Sequence, residues 1–179
     1  MPALIMPHHG VTPKIAKGVF VADTAVVIGD VEVGENASIW FGCVVRGDAN
    51  SIRIGPRTNI QDGTIIHVNH PREGAAGTKT TIGADITVGH MAMLHACTLE
   101  DGCFIGMKAC VMDGAVIETG GMVAAGALIT PGKRVKRGEL WAGSPAKLLR
   151  QLTDKELAYF PYSAEHYCEL AAGYLTAKA

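Results

Sequence analysis

Aliphatic residues recur along this chain at every sixth position. The series Ile15, Val21, Val27, Val33, Ile39 and Val45 slips by three residues and resumes at Ile54, Ile60 and Ile66. It continues at Ile82, Val88 and Leu94 and arrives one residue early at Leu99. It then keeps strict sixes through Ile105, Val111, Ile117, Val123, Ile129, Val135 and Trp141. Small or polar residues follow these positions, often Gly, as in Val33-Gly34, Ile54-Gly55 and Ile105-Gly106. A period of six fits neither the 3.6-residue helix nor the simple alternation of a strand. It fits a parallel β-solenoid in which each hexad is a short strand plus a corner and three hexads close a triangular coil. The marked aliphatic points into the prism, and Gly serves corners that need positive φ. The expected fold class is therefore mainly β, with a β-helix domain over 1–142. Its repeats begin near residue 11, and a loop insertion falls at about 70–81.

Residues 143–179 read as a helical segment of the same structural unit. Gly143-Ser144-Pro145-Ala146 is a turn with Pro placed to open a helix over 145–152. Thr153-Asp154-Lys155-Glu156 matches a capping box, from which a further helix runs toward Leu175. Pro161 is expected to break or kink it. Leu148, Leu149, Leu152, Leu157, Tyr167, Leu170 and Leu175 would form the face packed on the solenoid wall.

Composition narrows the function classes. The 179 residues suffice for one domain with a core, and a formal net charge of −1 advertises no basic surface for nucleic acid. No apolar run approaches the ~20 residues that span a bilayer, and Met1–Gly18 carries no apolar signal core, so a cytoplasmic protein without membrane association is expected. The five cysteines are odd in number and form no CxxC pair; they read as reduced, mostly buried thiols.

The candidate chemistry lies in the register of three histidines. Val45, Ile66 and Leu94 are three hexads apart once the insertion is set aside, so they stack in successive coils about 4.8 Å apart. The outward residues beside them are Arg46, His67 and His95. The preceding face stacks Ile60 under Val88 and carries Gln61, Asp62 and His90 nearby. A corner separates His90 from the other two, so one subunit does not bring all three imidazoles together. A ring of identical subunits can, and a triangular prism suggests three subunits with three sites. Three neutral imidazoles leave one metal position for water, the arrangement of an open catalytic zinc site, which makes hydroxide available near neutral pH. His8, His9, His70 and His166 have no register argument.

Arg46-Gly47-Asp48, Asn59-Ile60-Gln61-Asp62, His67, Gly89-His90 and Leu94-His95 together resemble the γ-class carbonic anhydrase family of hexapeptide-repeat proteins. The likeness runs through the Ala142-Gly143-Ser144-Pro145-Ala146 exit and the carboxy-terminal helix. It implies a left-handed β-helix, a homotrimer, and one Zn2+ or Fe2+ at each subunit interface. His67 and His95 would come from one subunit and His90 from the next. Carried over by motif, Arg46 and Asp48 form an interfacial ion pair that orders the trimer, supported by Asp62. Gln61 aims metal-bound hydroxide at the carbon of CO2, Asn59 orders the pocket, and Tyr162 corresponds to a tyrosine near the metal.

The chain departs from the pattern at two places. The most active archaeal type carries a glutamate directly after Arg-Gly-Asp, where this chain has Ala49. That type also has an acidic loop beyond the first metal histidine, whereas Val68–Gly74 holds only Glu73. CO2 hydration exports a proton at each turnover, so a missing carrier lowers the rate. The resemblance implies reversible CO2 hydration. The alternatives are a metal-dependent hydrolase on the same site, such as an acyl-CoA thioesterase, and a catalytically weak trimeric metal-binding protein. A metal-independent acyltransferase, which uses a lone histidine base, fits the triad less well.

Overall fold

A computed structural model describes residues 2–178. The hexads form a parallel β-solenoid with three faces, and the marked aliphatics fill its prism. Val45 pairs with Ile66, Ile66 with Leu94, Leu94 with Val111 and Val111 with Ile129, all fully buried. Ile60 lies beside Val88 on another face, as the register requires. The first rung begins earlier than the repeat suggested: Leu4–Met6 pairs in parallel with Val26–Ile28. Two strands, Val26–Val33 and Val44–Ile54, run through the corner that joins the first and second faces.

Corner geometry repeats with the coil. After the second face, each coil places one residue in left-handed backbone: Gly18, Asn36, Arg57, Asp85, Gly102, Gly120 and Gly138. Gly suits this conformation, but the fold also imposes it on Arg57 and Asp85, which pair across adjacent coils at 2.6 Å. The early arrival of Leu99 is absorbed at Ala96, which takes φ +49°. The insertion after His67 is a short hairpin in which Asn69 pairs with Thr78.

The three faces have different outward surfaces. On the second, Lys14, Glu32, Arg53, Thr81, Thr98, Val116 and Arg134 form a mostly polar column. On the third, the column Phe20, Ser38, Asn59, Thr87, Phe104, Met122 and Leu140 lies toward the C-terminal helix. On the first, the outward column is apolar throughout: Leu4, Val26, Val44, Ile65, Met93, Cys110 and Leu128. Ile65 and Met93 are more than two-fifths exposed there.

The C-terminal segment differs from expectation in two respects. Residues 146–151 form a strand, Ala146–Gln151, antiparallel to Glu139–Gly143, after a cis Ser144–Pro145 peptide. The last rung of the third face leaves a row of unpaired backbone groups, and pairing satisfies them where a helix would not. Leu148 and Leu149 consequently point to solvent rather than to the wall. The helix, Asp154–Lys178, continues through Pro161. Pro161 itself is exposed, and packing of Phe160, Ser163 and Ala164 on either side holds the helix together despite the missing N–H. Its buried face is Phe160, Ser163, Ala164 and Ala171, with Tyr167 and Leu175 packed against the core; Leu170 is exposed. The capping box forms: the Glu156 carboxylate accepts from the Thr153 N–H at 2.8 Å and the Glu156 N–H donates to Thr153 Oγ1 at 3.3 Å. Among the described residues no helix is long and apolar enough to cross a membrane.

Candidate metal centre

His67 and His95 stand side by side on the first face, one rung apart. His67 Nδ1 and His95 Nε2 are 3.3 Å apart. Each ring turns its other nitrogen to a carboxylate: His67 Nε2 to Asp48 Oδ1 at 3.0 Å, and His95 Nδ1 to Asp113 Oδ1 at 2.5 Å. An ionised carboxylate only accepts, so both outer nitrogens carry a proton, and in the neutral rings both inner nitrogens present lone pairs to each other. Two lone pairs facing across this gap repel unless a cation lies beside them. Two nitrogens bound at about 2.0–2.1 Å in a tetrahedral metal shell stand about 3.3–3.4 Å apart, so the pair fits a metal ion's requirement.

The carboxylates are themselves fixed. Asp48 accepts from Arg46 Nη1 at 2.6 Å, so the Arg46–Asp48 pair closes within one protomer. Partial burial works to raise the Asp48 pKa, but the hydrogen bonds from Arg46 and His67 outweigh it and hold the carboxyl down at about 2. Gly47 sits between them because a Cβ there would lie 2.6 Å from the Asp30 carbonyl oxygen. Asp113 accepts a further bond from Asn69 Nδ2 at 2.9 Å. Such partners orient a ligand ring and raise its basicity.

His90 lies on the corner before the first face, away from this pair. Its Nδ1 is 2.9 Å from Asp62 Oδ2, so Asp62 serves His90 rather than the Arg46–Asp48 pair. Again the carboxylate fixes the tautomer of the neutral ring, which leaves the Nε2 lone pair available. Among the described residues no group of three or more His, Cys, Asp or Glu side chains within the protomer can hold a metal.

Gln61 and Asn59 are buried beside His90. The His90 N–H donates to Gln61 Oε1 at 3.2 Å, and Gln61 Nε2 donates to Asn59 Oδ1 at 3.1 Å. Asn59 Nδ2 donates to the Ile86 carbonyl and to Thr87 Oγ1, which meets Ser163 Oγ on the helix at 2.9 Å. A cleft of about 340 Å³ opens here between the third face and the helix, lined by Gln61, His90, Phe104, Met107, Tyr159 and Tyr167, among others. Tyr162 does not line it: that side chain is exposed and stacks on His166.

Sequence reasoning missed Asp113, Thr87 and Ser163. The first two were within reach of the register, because Val111 stacks on Leu94 and Thr87 on Asn59. Ser163 had no such signal, since the repeat does not extend into the helix.

Residues 12–47 match the family model described as bacterial transferase hexapeptide (six repeats). The chain is 49% identical over 160 residues to γ carbonic anhydrase 2, mitochondrial, of Arabidopsis thaliana, covering 89% of this chain but spanning only 58% of that protein's length. A solved hexapeptide transferase family protein from Anaplasma phagocytophilum is 49% identical with a TM-score of 0.89, covering 96% of this chain and 98% of that one. The carbonic anhydrase of Geobacillus kaustophilus is 38% identical over 168 residues, 93% of this chain and 88% of that protein. The last two likenesses hold over nearly the full length of both chains, and with the γ carbonic anhydrase relative they show that the chain belongs to the γ-carbonic anhydrase-like family of hexapeptide-repeat proteins.

Proposed function

We propose that the protein is a metal-dependent, carbonic anhydrase-like lyase that interconverts CO2 and bicarbonate in a homotrimer. The observation that carries this reading is the His67–His95 pair, two imidazole nitrogens facing each other 3.3 Å apart, each ring backed by a carboxylate. His90 supplies a third imidazole of the same kind from another corner. The apolar column on the first face supports an oligomer, because Ile65 and Met93 beside the two histidines remain exposed in the protomer.

His67 and His95 of one protomer and His90 of the next would hold Zn2+ or Fe2+. The metal supplies Lewis acidity and makes hydroxide available near neutral pH. Asp48, Asp113 and Asp62 keep the three rings in the tautomers that bind a cation. Gln61, anchored to Asn59, is fixed beside His90, where it can orient a reacting oxygen. Arg46 holds Asp48 in place and adds positive charge that favours bicarbonate. Ala49 packs against the core and offers no proton-carrying group, so turnover is expected to be modest.

A second reading, hydrolysis of an acyl thioester, draws support from the cleft beside His90. Its volume of about 340 Å³ and its Phe104, Met107 and Met122 lining exceed what CO2 requires.

Stopped-flow CO2 hydration with Zn2+ and with anaerobic Fe2+, on the wild type and His90→Ala, tests the proposal. The wild type should hold about one metal ion per protomer and hydrate CO2, and the variant should lose both. Hydration that survives in His90→Ala refutes the shared site, and a protein without stoichiometric metal in either preparation refutes the metal mechanism. An acyl-CoA panel run in parallel tests the second reading.

A further inference from the structure

The contact between the helix and the third face is apolar at its ends and polar in its middle. Phe20 packs against Tyr174 at one end and Phe104 against Phe160 at the other. Between them lie Asn59, Thr87 and Ser163, exposed by only 1%, 2% and 4%. Buried polar residues in an otherwise apolar contact lower stability unless every group is satisfied. Here every buried side-chain polar atom among the described residues has a partner.

The partners also fix a direction. Amide oxygen and nitrogen are alike in shape, so their assignment rests on the surrounding donors and acceptors. At one end, the Ile86 carbonyl can only accept, which turns Asn59 Nδ2 toward it and Asn59 Oδ1 toward Gln61. At the other end, the His90 N–H can only donate, which turns Gln61 Oε1 toward it. The two ends demand the same assignment. Gln61 Nε2 spends one hydrogen on Asn59 Oδ1, its second hydrogen is not used by this network, and Gln61 lines the cleft. Thr87 Oγ1 accepts from Asn59 Nδ2, leaving its own hydrogen free to be donated to Ser163 Oγ.

We infer that Thr87 and Ser163 are positioning residues that hold Asn59, and through it Gln61, so that the free Gln61 amide hydrogen points into the cleft beside His90. The helix is then a working part of the site as well as a cover for the third face. This role rests on the proposed lyase activity only for its kinetic consequence; the orientation of Gln61 is independent of it.

The test uses the intact metal-loaded protein, with Ser163→Ala, Thr87→Val, Thr87→Ser and Gln61→Ala. In spectra of protein carrying 15N-glutamine, the Gln61 side-chain amide should shift and lose exchange protection in Ser163→Ala and Thr87→Val. It should stay near its wild-type position in Thr87→Ser, which keeps the hydroxyl. For CO2 hydration, Ser163→Ala should lower kcat about fivefold, the equivalent of a ~1 kcal/mol hydrogen bond, with KM and metal content unchanged. Adding Ser163→Ala to Gln61→Ala should cost nothing further, because the residue then has nothing to position. Unmoved Gln61 signals in both Ser163→Ala and Thr87→Val, or rate losses that add in the double variant, overturn the inference. Absence of hydration in the wild type refutes the lyase reading, and the spectra still decide the positioning.

Discussion

Asn59→Asp is the most severe isosteric test of this buried network. The substitution changes no volume; it replaces two N–H donors with an acceptor. Asn59 is 1% exposed, and its Nδ2 donates to the Ile86 carbonyl at 3.2 Å and to Thr87 Oγ1 at 3.0 Å. An ionised carboxylate would set one oxygen against the Ile86 carbonyl oxygen in a buried site. The folded protein therefore favours the protonated acid, which can restore one of the two bonds. Losing the other costs about 1 kcal/mol. Holding an acid of ordinary pKa about 3.9 in its neutral form costs about 1.4 kcal/mol per pH unit above that value, or about 4 kcal/mol at pH 7 and about 1.5 kcal/mol at pH 5. The sign follows from proton counting. The folded variant binds a proton that the unfolded chain has released, so stability falls as pH rises above the unfolded pKa. The variant should be less stable than wild type by about 5 kcal/mol at pH 7 and about 2.5 kcal/mol at pH 5. Urea denaturation at one fixed protomer concentration, from pH 5 to pH 7, measures the difference. A variant as stable as wild type at pH 7, or a deficit that does not change with pH, refutes the assigned direction of the network.

Other expectations follow from the same structure. Burial pushes the Cys43 thiol up to about 11, the Cys97 thiol up to about 12 and the Cys103 thiol higher still, so these three should resist a thiol reagent at pH 8 in native protein and react in urea. Thr153→Ala removes the hydroxyl that caps the helix and should cost about 0.5–2 kcal/mol in denaturation, with helix content at the C-terminal segment reduced first. Ile65→Lys places a charge in the apolar column beside Met93 and should dissociate the proposed oligomer in sedimentation velocity while the protomer's circular dichroism is retained.

The repeat of six, carried by Val, Ile and Leu, was enough to place the strands, the three faces and the inward column. Register then followed: His67 beside His95, and His90 on another corner. These were legible because a solenoid converts distance along the chain into height along an axis, so neighbours in space are a fixed number of residues apart. Contacts outside that rule needed the tertiary structure. The strand Ala146–Gln151 exists because the last rung offers open backbone groups, a property of the assembled face and not of residues 146–151. Pro161 stays within one helix because Phe160, Ser163 and Ala164 pack on the solenoid, and local propensity does not include that energy. The pairing of Asp62 with His90, the closing of Arg46 on Asp48 within one protomer, and the hydrogen-bonded link from Ser163 to Gln61 all depend on which side chains meet across coils and across the helix contact. Sequence periodicity fixes where a residue stands; only packing decides which donor faces which acceptor, because that choice depends on distances of a few tenths of an ångström between segments far apart in the chain.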